Sequence, residues 1–516
     1  MSFLDDVKSV LDDAKQTTEN GALEYSTTGH KLLDMNFAVA GYRSKTDYEA
    51  MNDFTSVYYE NPFLAVAWLF YVRDIRGGLG ERRLFRNCMK ELIDINPEMV
   101  VDLIPLISEY GRYDDLFALV GSNAEVDDAI AKFTGAQFNK DVTDMAFNKP
   151  ISLLAKWLPT ENCSNVERKN VARWLISEWR MQPKQYRKLV SALRKYLDVV
   201  EVKISANRWG EVDYNTVPSY ANLKYKTAFY RHDEERRQEY LDSLVRGDKD
   251  VKINSSTLFP YDIVNKYSSC VRSFWGGRSL NYYDETLEQL WKNLPDMIGT
   301  ETNTLVVADG SGSMLCDVGN SVTALDVANS LAIYFAEHNK GAFANKYITF
   351  SENPQLVDFQ SATSLRDKLK IALSHTEVAN TNIEATFDLI LETAVRNNYK
   401  QSDMPDNIVI ISDMEFDYAT GYRNSVDETL FETIGAKYES HGYKLPRLVF
   451  WNVNSRTNTI PCKQNDAGVI LVSGFSTTIC NMVLTNETDP YIALVKEIVK
   501  DRYMPVLEVA NKHLTK

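Results

Sequence analysis

The 516-residue sequence is poor in the residues that mark several common classes of protein. Its six cysteines, at 88, 163, 270, 316, 462 and 480, form no Cys-x-x-Cys pair. Such spacing argues against a zinc ribbon or a disulfide scaffold and fits the reduced thiols of a cytoplasmic protein. The six histidines include no His-x-x-x-His pair, which excludes the usual metalloprotease helix. Long apolar runs are also missing. The longest, 63–72, is half of the roughly 20 residues that a membrane-spanning helix needs. The amino terminus lacks the basic and apolar stretches of a secretory signal, so a cytoplasmic location without membrane contact is expected. Nor is there an excess of positive charge. Lys and Arg number 57 against 71 Asp and Glu, a net charge of −14, and the acidic excess holds on both sides of residue 300. Indiscriminate phosphate binding over the whole surface is excluded on that balance, whereas a local basic patch is not.

Familiar catalytic sets are absent too. The glycines at 77, 78 and 80 are not followed by Gly-Lys-Ser/Thr and no strand pattern precedes them, which argues against a phosphate loop. Gly310-Ser311-Gly312-Ser313 is not a Gly-x-Ser-x-Gly nucleophile elbow. No enzyme activity is expected.

What is present is ordinary globular composition, 44% apolar and 25% charged, in a chain long enough for two or three domains. Up to about residue 300 the signals are helical. Apolar residues recur at three- and four-residue spacing in 63–71, 84–95, 99–108 and 116–120, separated by short breaks. Stacked helical pairs of HEAT-like type are expected over 1–300. The texture changes beyond residue 300. Short apolar strands are expected at 304–308, 347–350, 356–359, 408–411, 448–453 and 469–472. Amphipathic helices lie between most of them, at 322–339, 365–374, 383–397 and 428–440. The alternation predicts a doubly wound, mostly parallel α/β domain over 301–516. The strand at 356–359 follows its predecessor too closely for a helical crossover, so it should form an antiparallel edge hairpin.

The strongest chemical signal is Asp309-Gly310-Ser311-Gly312-Ser313, directly after the first strand. In an open α/β sheet, ligands bind in the crevice at the carboxyl ends of the strands. Asp309, Ser311 and Ser313 bring a carboxylate and two hydroxyls there. Asp413 follows the strand 408–411, and Thr381 sits in a loop before a helix. These five are hard oxygen ligands, and two carboxylates suit a divalent cation such as Mg²⁺. Taken alone, the loop reads equally well as a polar turn.

The five residues resemble the metal-ion-dependent adhesion site of von Willebrand factor A domains. The resemblance implies that an open metal position accepts an Asp or Glu carboxylate from a protein partner. Met414 stands where many members of that family carry glycine. A second resemblance joins the two regions. The segments 73–82, 111–115, 149–159, 212–219, 448–452 and 472–475 resemble the domain of unknown function 2828 family. That family is in turn similar to Ro autoantigen (TROVE) ribonucleoproteins, helical rings closed by a von Willebrand A domain. The likeness implies binding of small structured RNAs or single-stranded RNA ends.

A local feature agrees with RNA. Residues 151–209 carry 12 basic and five acidic side chains, with tryptophans 157, 174, 179 and 209 interleaved. Cations for phosphate and rings for base stacking suit a single-stranded ligand. On the helix expected over 184–197, Lys184, Arg187, Lys188, Arg194 and Lys195 fall opposite the apolar stripe, and are the candidate RNA contacts. The plainer alternative is a solvated face whose tryptophans are core. Two other readings stand beside RNA binding: a purely protein-binding scaffold that uses the metal site, and a metal-dependent hydrolase with Glu415 or Asp417 as its base.

Overall fold

The computed structural model describes residues 15–18, 23–269, 280, 282–298, 303–339, 343–350, 354–375, 383–416, 430–457, 460–461, 469–483, 487 and 489–514. Thr381 and Asp417 lie outside them. The chain forms two compact units, one of Met1–Thr46 with Leu258–Glu497 and one of Asp47–Thr257 with Ile498–Lys516. The single boundary expected at residue 300 is therefore replaced by a threaded arrangement. Residues 1–46 and 258–300 belong with the sheet, and the last 19 residues belong with the helices.

The first unit opens with a two-stranded antiparallel ribbon, β1 (Lys15–Thr17) and β2 (Leu23–Tyr25). Its main sheet has six strands: β3 (Thr304–Asp309), β4 (Lys346–Phe350), β5 (Gln355–Asp358), β6 (Asn407–Ser412), β7 (Arg447–Asn452) and β8 (Val469–Ser473). Their order across the sheet is β5-β4-β3-β6-β7-β8. All neighbours are parallel except β4 and β5, which form the antiparallel edge hairpin that the short connection required. β3 and β6 are buried at every position, which explains their unbroken apolar sequences. The edge strand β5 buries only Val357 and leaves Leu356 exposed. The helix Ala324–His338 follows β3 and is buried from Ala324 through Ala336. It starts at a capping box in which Thr323 Oγ1 accepts from the Asp326 N–H and Asp326 accepts from the Thr323 N–H.

The amino-terminal segment is tied to the carboxyl ends of β7 and β8 by polar contacts. Asn452 Nδ2 donates to the Phe37 carbonyl at 2.8 Å, and the Ala40 N–H donates to Ser473 Oγ at 3.0 Å. Tyr25 and Ile460 exchange a pair of backbone hydrogen bonds.

The second unit is helical. Its helices include Pro62–Arg73, Arg82–Ile95 and Pro97–Tyr110, at the periodic segments 63–71, 84–95 and 99–108, and Pro183–Tyr196, at the helix expected over 184–197, together with Ala124–Ala146, Val166–Glu178, Ser219–His232 and Glu234–Arg246. One core gathers Phe117, Phe138, Leu154, Leu158, Leu175, Tyr186, Val190 and Leu193, with Trp157, Trp174 and Trp179 packed on it. These three tryptophans thus follow the plainer expectation. The carboxyl-terminal helix Met504–Leu514 packs on Pro62–Arg73 and Pro97–Tyr110. Among the described residues no helix is long and apolar enough to cross a membrane.

Candidate metal centre

Strand order reverses beside β3: the chain first runs outward through β4 and β5, then returns to place β6 on the other flank of β3. The loops that leave β3 and β6 on either side of that switch diverge, and the crevice between them is where an open α/β sheet takes ligands. Asp309 is the last residue of β3, and Asp413 directly follows β6. Both side chains are buried, at 1% and 0% exposure.

A ring of polar contacts joins the two loops. Ser412 Oγ donates to Asp309 Oδ2 at 2.7 Å, and the Ser311 N–H donates to Asp309 Oδ1 at 2.8 Å. The Ser311 and Ser313 hydroxyls are 2.9 Å apart, and Ser313 lies near enough to Asp413 to lower its pKa. Four of the five residues singled out from sequence therefore converge; the fifth, Thr381, lies outside the described residues. Burial raises the Asp413 pKa first, and the negative charge of Asp309 raises it further. The Ser313 hydroxyl and the Arg456 guanidinium work in the opposite direction. Two buried carboxylates that repel each other, lined by hydroxyls, form an oxygen-only set that fits a hard divalent cation. Among the described residues no group of three or more His, Cys, Asp or Glu is placed to hold a metal.

Met414 takes up φ +63°, the left-handed conformation in which glycine is at ease. The turn after Asp413 thus keeps a glycine-like backbone while burying a methionine side chain. Next to it, Glu415 is fully buried. Its carboxylate accepts from the Arg456 N–H at 2.8 Å, the Thr457 N–H at 3.0 Å and the Thr457 hydroxyl at 3.1 Å. Glu415 thus clamps together the loops after β6 and β7. Two participants had no signal in the sequence. Ser412 is a strand residue with an unremarkable side chain, and Arg456 lies 43 residues from the Asp413 carboxylate that it approaches. Cys316 is half-buried and accepts from Asn454 Nδ2; burial and Asp413 push its thiol pKa up.

The basic helix Pro183–Tyr196 divides into two sets of side chains. Arg194 donates from Nε to the Ala155 carbonyl at 2.8 Å and from Nη2 to the Leu158 carbonyl at 2.5 Å. Arg187 pairs with Glu161 at 2.5 Å. Lys184, Lys188 and Lys195 are exposed. Farther along, the Trp209 ring stacks on His232 at 4.5 Å between centroids.

Comparison with known proteins places this geometry beside families rather than activities. Residues 303–504 match the family described as a domain of unknown function (DUF7788), and residues 177–303 match the domain of unknown function family DUF2828. The second match covers a narrower stretch than the motifs suggested. Uncharacterized protein L728 of Acanthamoeba polyphaga mimivirus is 28% identical over 519 residues, spanning 91% of this chain and 84% of the viral protein. The crystal structure of the Deinococcus radiodurans RO (RSR) protein aligns over 91% of this chain and 96% of its own. The TM-score is 0.36 and the identity 11%, values too low to establish a shared fold.

Proposed function

We propose that this is a non-enzymatic binding protein whose α/β unit is a doubly wound domain of von Willebrand A type. In this reading Asp309, Ser311, Ser313 and Asp413, with Thr381, hold Mg²⁺ or another divalent cation. One observation carries it: two buried carboxylates and two hydroxyls meet where the strand order reverses. The bound ion supplies a Lewis-acidic position that takes an Asp or Glu carboxylate from a protein partner. Asp309 and Asp413 neutralise the ion, while Ser412 and Ser311 fix the Asp309 carboxylate. Engagement of Glu415 by the neighbouring loop favours binding over hydrolysis. Calorimetric titration with Mg²⁺ tests the reading. A single site is expected, lost in Asp309→Ala and in Asp413→Asn, and a flat titration of the unaltered protein rejects it.

A second activity is favoured by the exposed lysines of Pro183–Tyr196. We infer that the helical unit contacts RNA there, through Lys184, Lys188 and Lys195, in a cytoplasmic ribonucleoprotein. Filter binding of a single-stranded RNA at two salt concentrations checks this: affinity should fall steeply with salt. No retention at low salt would leave the protein-binding scaffold as the better account.

A further inference from the structure

We propose that Asn454 is a further positioning residue of the cation site, its side-chain oxygen holding water that the ion keeps. The proposal rests on the cation reading of Asp309 and Asp413, and adds a contribution from the loop after β7. Strand order places β6 between β3 and β7. The loop after β7 is laid along the end of β6: the Val453 N–H donates to the Ser412 carbonyl at 3.0 Å, one residue before Asp413. From that loop the Asn454 side chain reaches to the far side, donating from Nδ2 to Cys316 Sγ at 2.9 Å. Cys316 stands three residues beyond Ser313 in the loop after β3, close enough to Asp413 to feel its charge. A side chain that joins the loops after β7 and β3 has to pass over the end of the strand between them. Asp413 stands there.

The amide is fixed at one end and unmatched at the other. Asn454 is 3% exposed, and its backbone N–H donates to Asn452 Oδ1 at 3.0 Å. With Nδ2 engaged by Cys316, the Asn454 Oδ1 atom is buried and has no hydrogen-bond partner. A buried carbonyl oxygen left in that state is costly, and in a native protein it calls for a missing donor. The ionised carboxylates of Asp309 and Asp413 have no proton to give it. Beside two such charges, the fitting donor is water polarised by a cation. A hard divalent ion such as Mg²⁺ keeps several waters in its shell, and residues that hold a metal's shell from outside change its affinity by about 10- to 100-fold. Asn454 thus adds a neutral oxygen to the hydroxyls and carboxylates of the other two loops. Acting through water, it leaves the open position of the ion to the partner's carboxylate.

The test is a titration of the full chain with Mn²⁺, following the loss of the free-ion signal by electron paramagnetic resonance. Four proteins are compared: unaltered, Asn454→Ala, Asn454→Asp and Cys316→Ala. Asn454→Ala is expected to bind Mn²⁺ about tenfold more weakly. Asn454→Asp has the same shape and keeps an acceptor oxygen, so it should bind at least as tightly as the unaltered protein. Cys316→Ala removes the contact at Nδ2 and leaves the oxygen, so its affinity should stay close to that of the unaltered protein. Unchanged binding by Asn454→Ala overturns the proposal and leaves the cation site standing. So does a loss in Cys316→Ala as large as that in Asn454→Ala, which would trace the effect to their mutual contact. Failure of Asn454→Asp to recover binding overturns it as well, because the acceptor would then not be what matters. If the unaltered protein takes up no Mn²⁺, the cation reading itself falls and the proposal with it.

Discussion

Arg73 and Asp115, 42 residues apart, form a buried ion pair: Nη2 is 2.7 Å and Nε 2.8 Å from the same carboxylate oxygen. The other oxygen accepts from Arg86 Nε at 2.7 Å, and the Arg112 N–H adds a fourth bond. The arginine-rich segment 73–82 and the turn 111–115 are thus one structural device. Removing Arg73 leaves a fully buried carboxylate short of its main partner. Arg73→Ala should cost about 3 kcal/mol in urea unfolding, because a buried carboxylate that loses one of its two cations costs far more than a broken surface pair, even with Arg86 left on its other oxygen. Arg73→Lys should recover only part of this, since an ammonium has no planar fork to match the carboxylate. A loss below about 1 kcal/mol for the alanine variant contradicts this account.

The glycines of the same segment separate into two kinds. A Cβ on Gly78 would lie 1.9 Å from the Tyr71 carbonyl oxygen, so backbone would have to move. A Cβ on Gly77 would meet Arg502 Cδ at 2.8 Å, the middle of a flexible side chain. Gly78→Ala should therefore destabilise by about 3 kcal/mol and Gly77→Ala by about 1 kcal/mol. Thermal melting of the two variants decides it, and equal losses would show that the close approach is not what fixes the turn.

Most of the sheet could be read from sequence because its strands are buried on both faces and stand out as short apolar runs between helical periods. The edge hairpin followed from a connection too short for a crossover. The Asp309 loop was legible because its three oxygen-bearing side chains are closely spaced and follow a strand. Arg456 and Ser412 were not, since their roles depend on which loops the sheet order brings together. The attachment of residues 1–46 to the sheet was equally hidden. It is made by side-chain-to-backbone bonds such as Asn452 to Phe37, which leave no periodic trace. The basic helix misled in one respect: helical phase places Arg194 with the lysines, but its length lets it reach back to the Ala155 and Leu158 carbonyls.

Asp102 ties down the carboxyl-terminal helix, accepting from Lys512 Nζ at 2.6 Å and lying 2.7 Å from His513 Nε2. The Lys512 hydrogen bond, then that of His513, holds its pKa below the usual aspartate value. A carboxylate with a lowered folded-state pKa stabilises the fold above its unfolded value of about 4, and the benefit is lost as the pH falls through the lowered one. Because Asp102 is one-third exposed and Lys512 more so, the contribution should stay under about 1 kcal/mol. Asp102→Asn should be less stable than the unaltered protein at pH 6, with the gap closing toward pH 3. A gap that is constant with pH would assign the loss to something other than this charge.

Arg194 and Lys188 lie on one basic helix, yet their substitution should have opposite signatures. Arg194→Ala strands the carbonyls of Ala155 and Leu158, which should lower stability by about 2 kcal/mol. The combined variant Lys184→Ala, Lys188→Ala and Lys195→Ala removes three exposed cations and should change stability by less than about 0.5 kcal/mol. If these lysines neutralise RNA phosphates, the triple variant should weaken RNA binding. Its log–log salt slope should become shallower by about 0.7 for each phosphate no longer neutralised, up to about two in all. Arg194→Ala, assayed well below its melting temperature, should keep the slope of the unaltered protein. An Arg194 variant with the shallower slope and a triple variant without it would move the phosphate-binding role off the lysines, because the slope counts ions released and is indifferent to how firmly the helix is held.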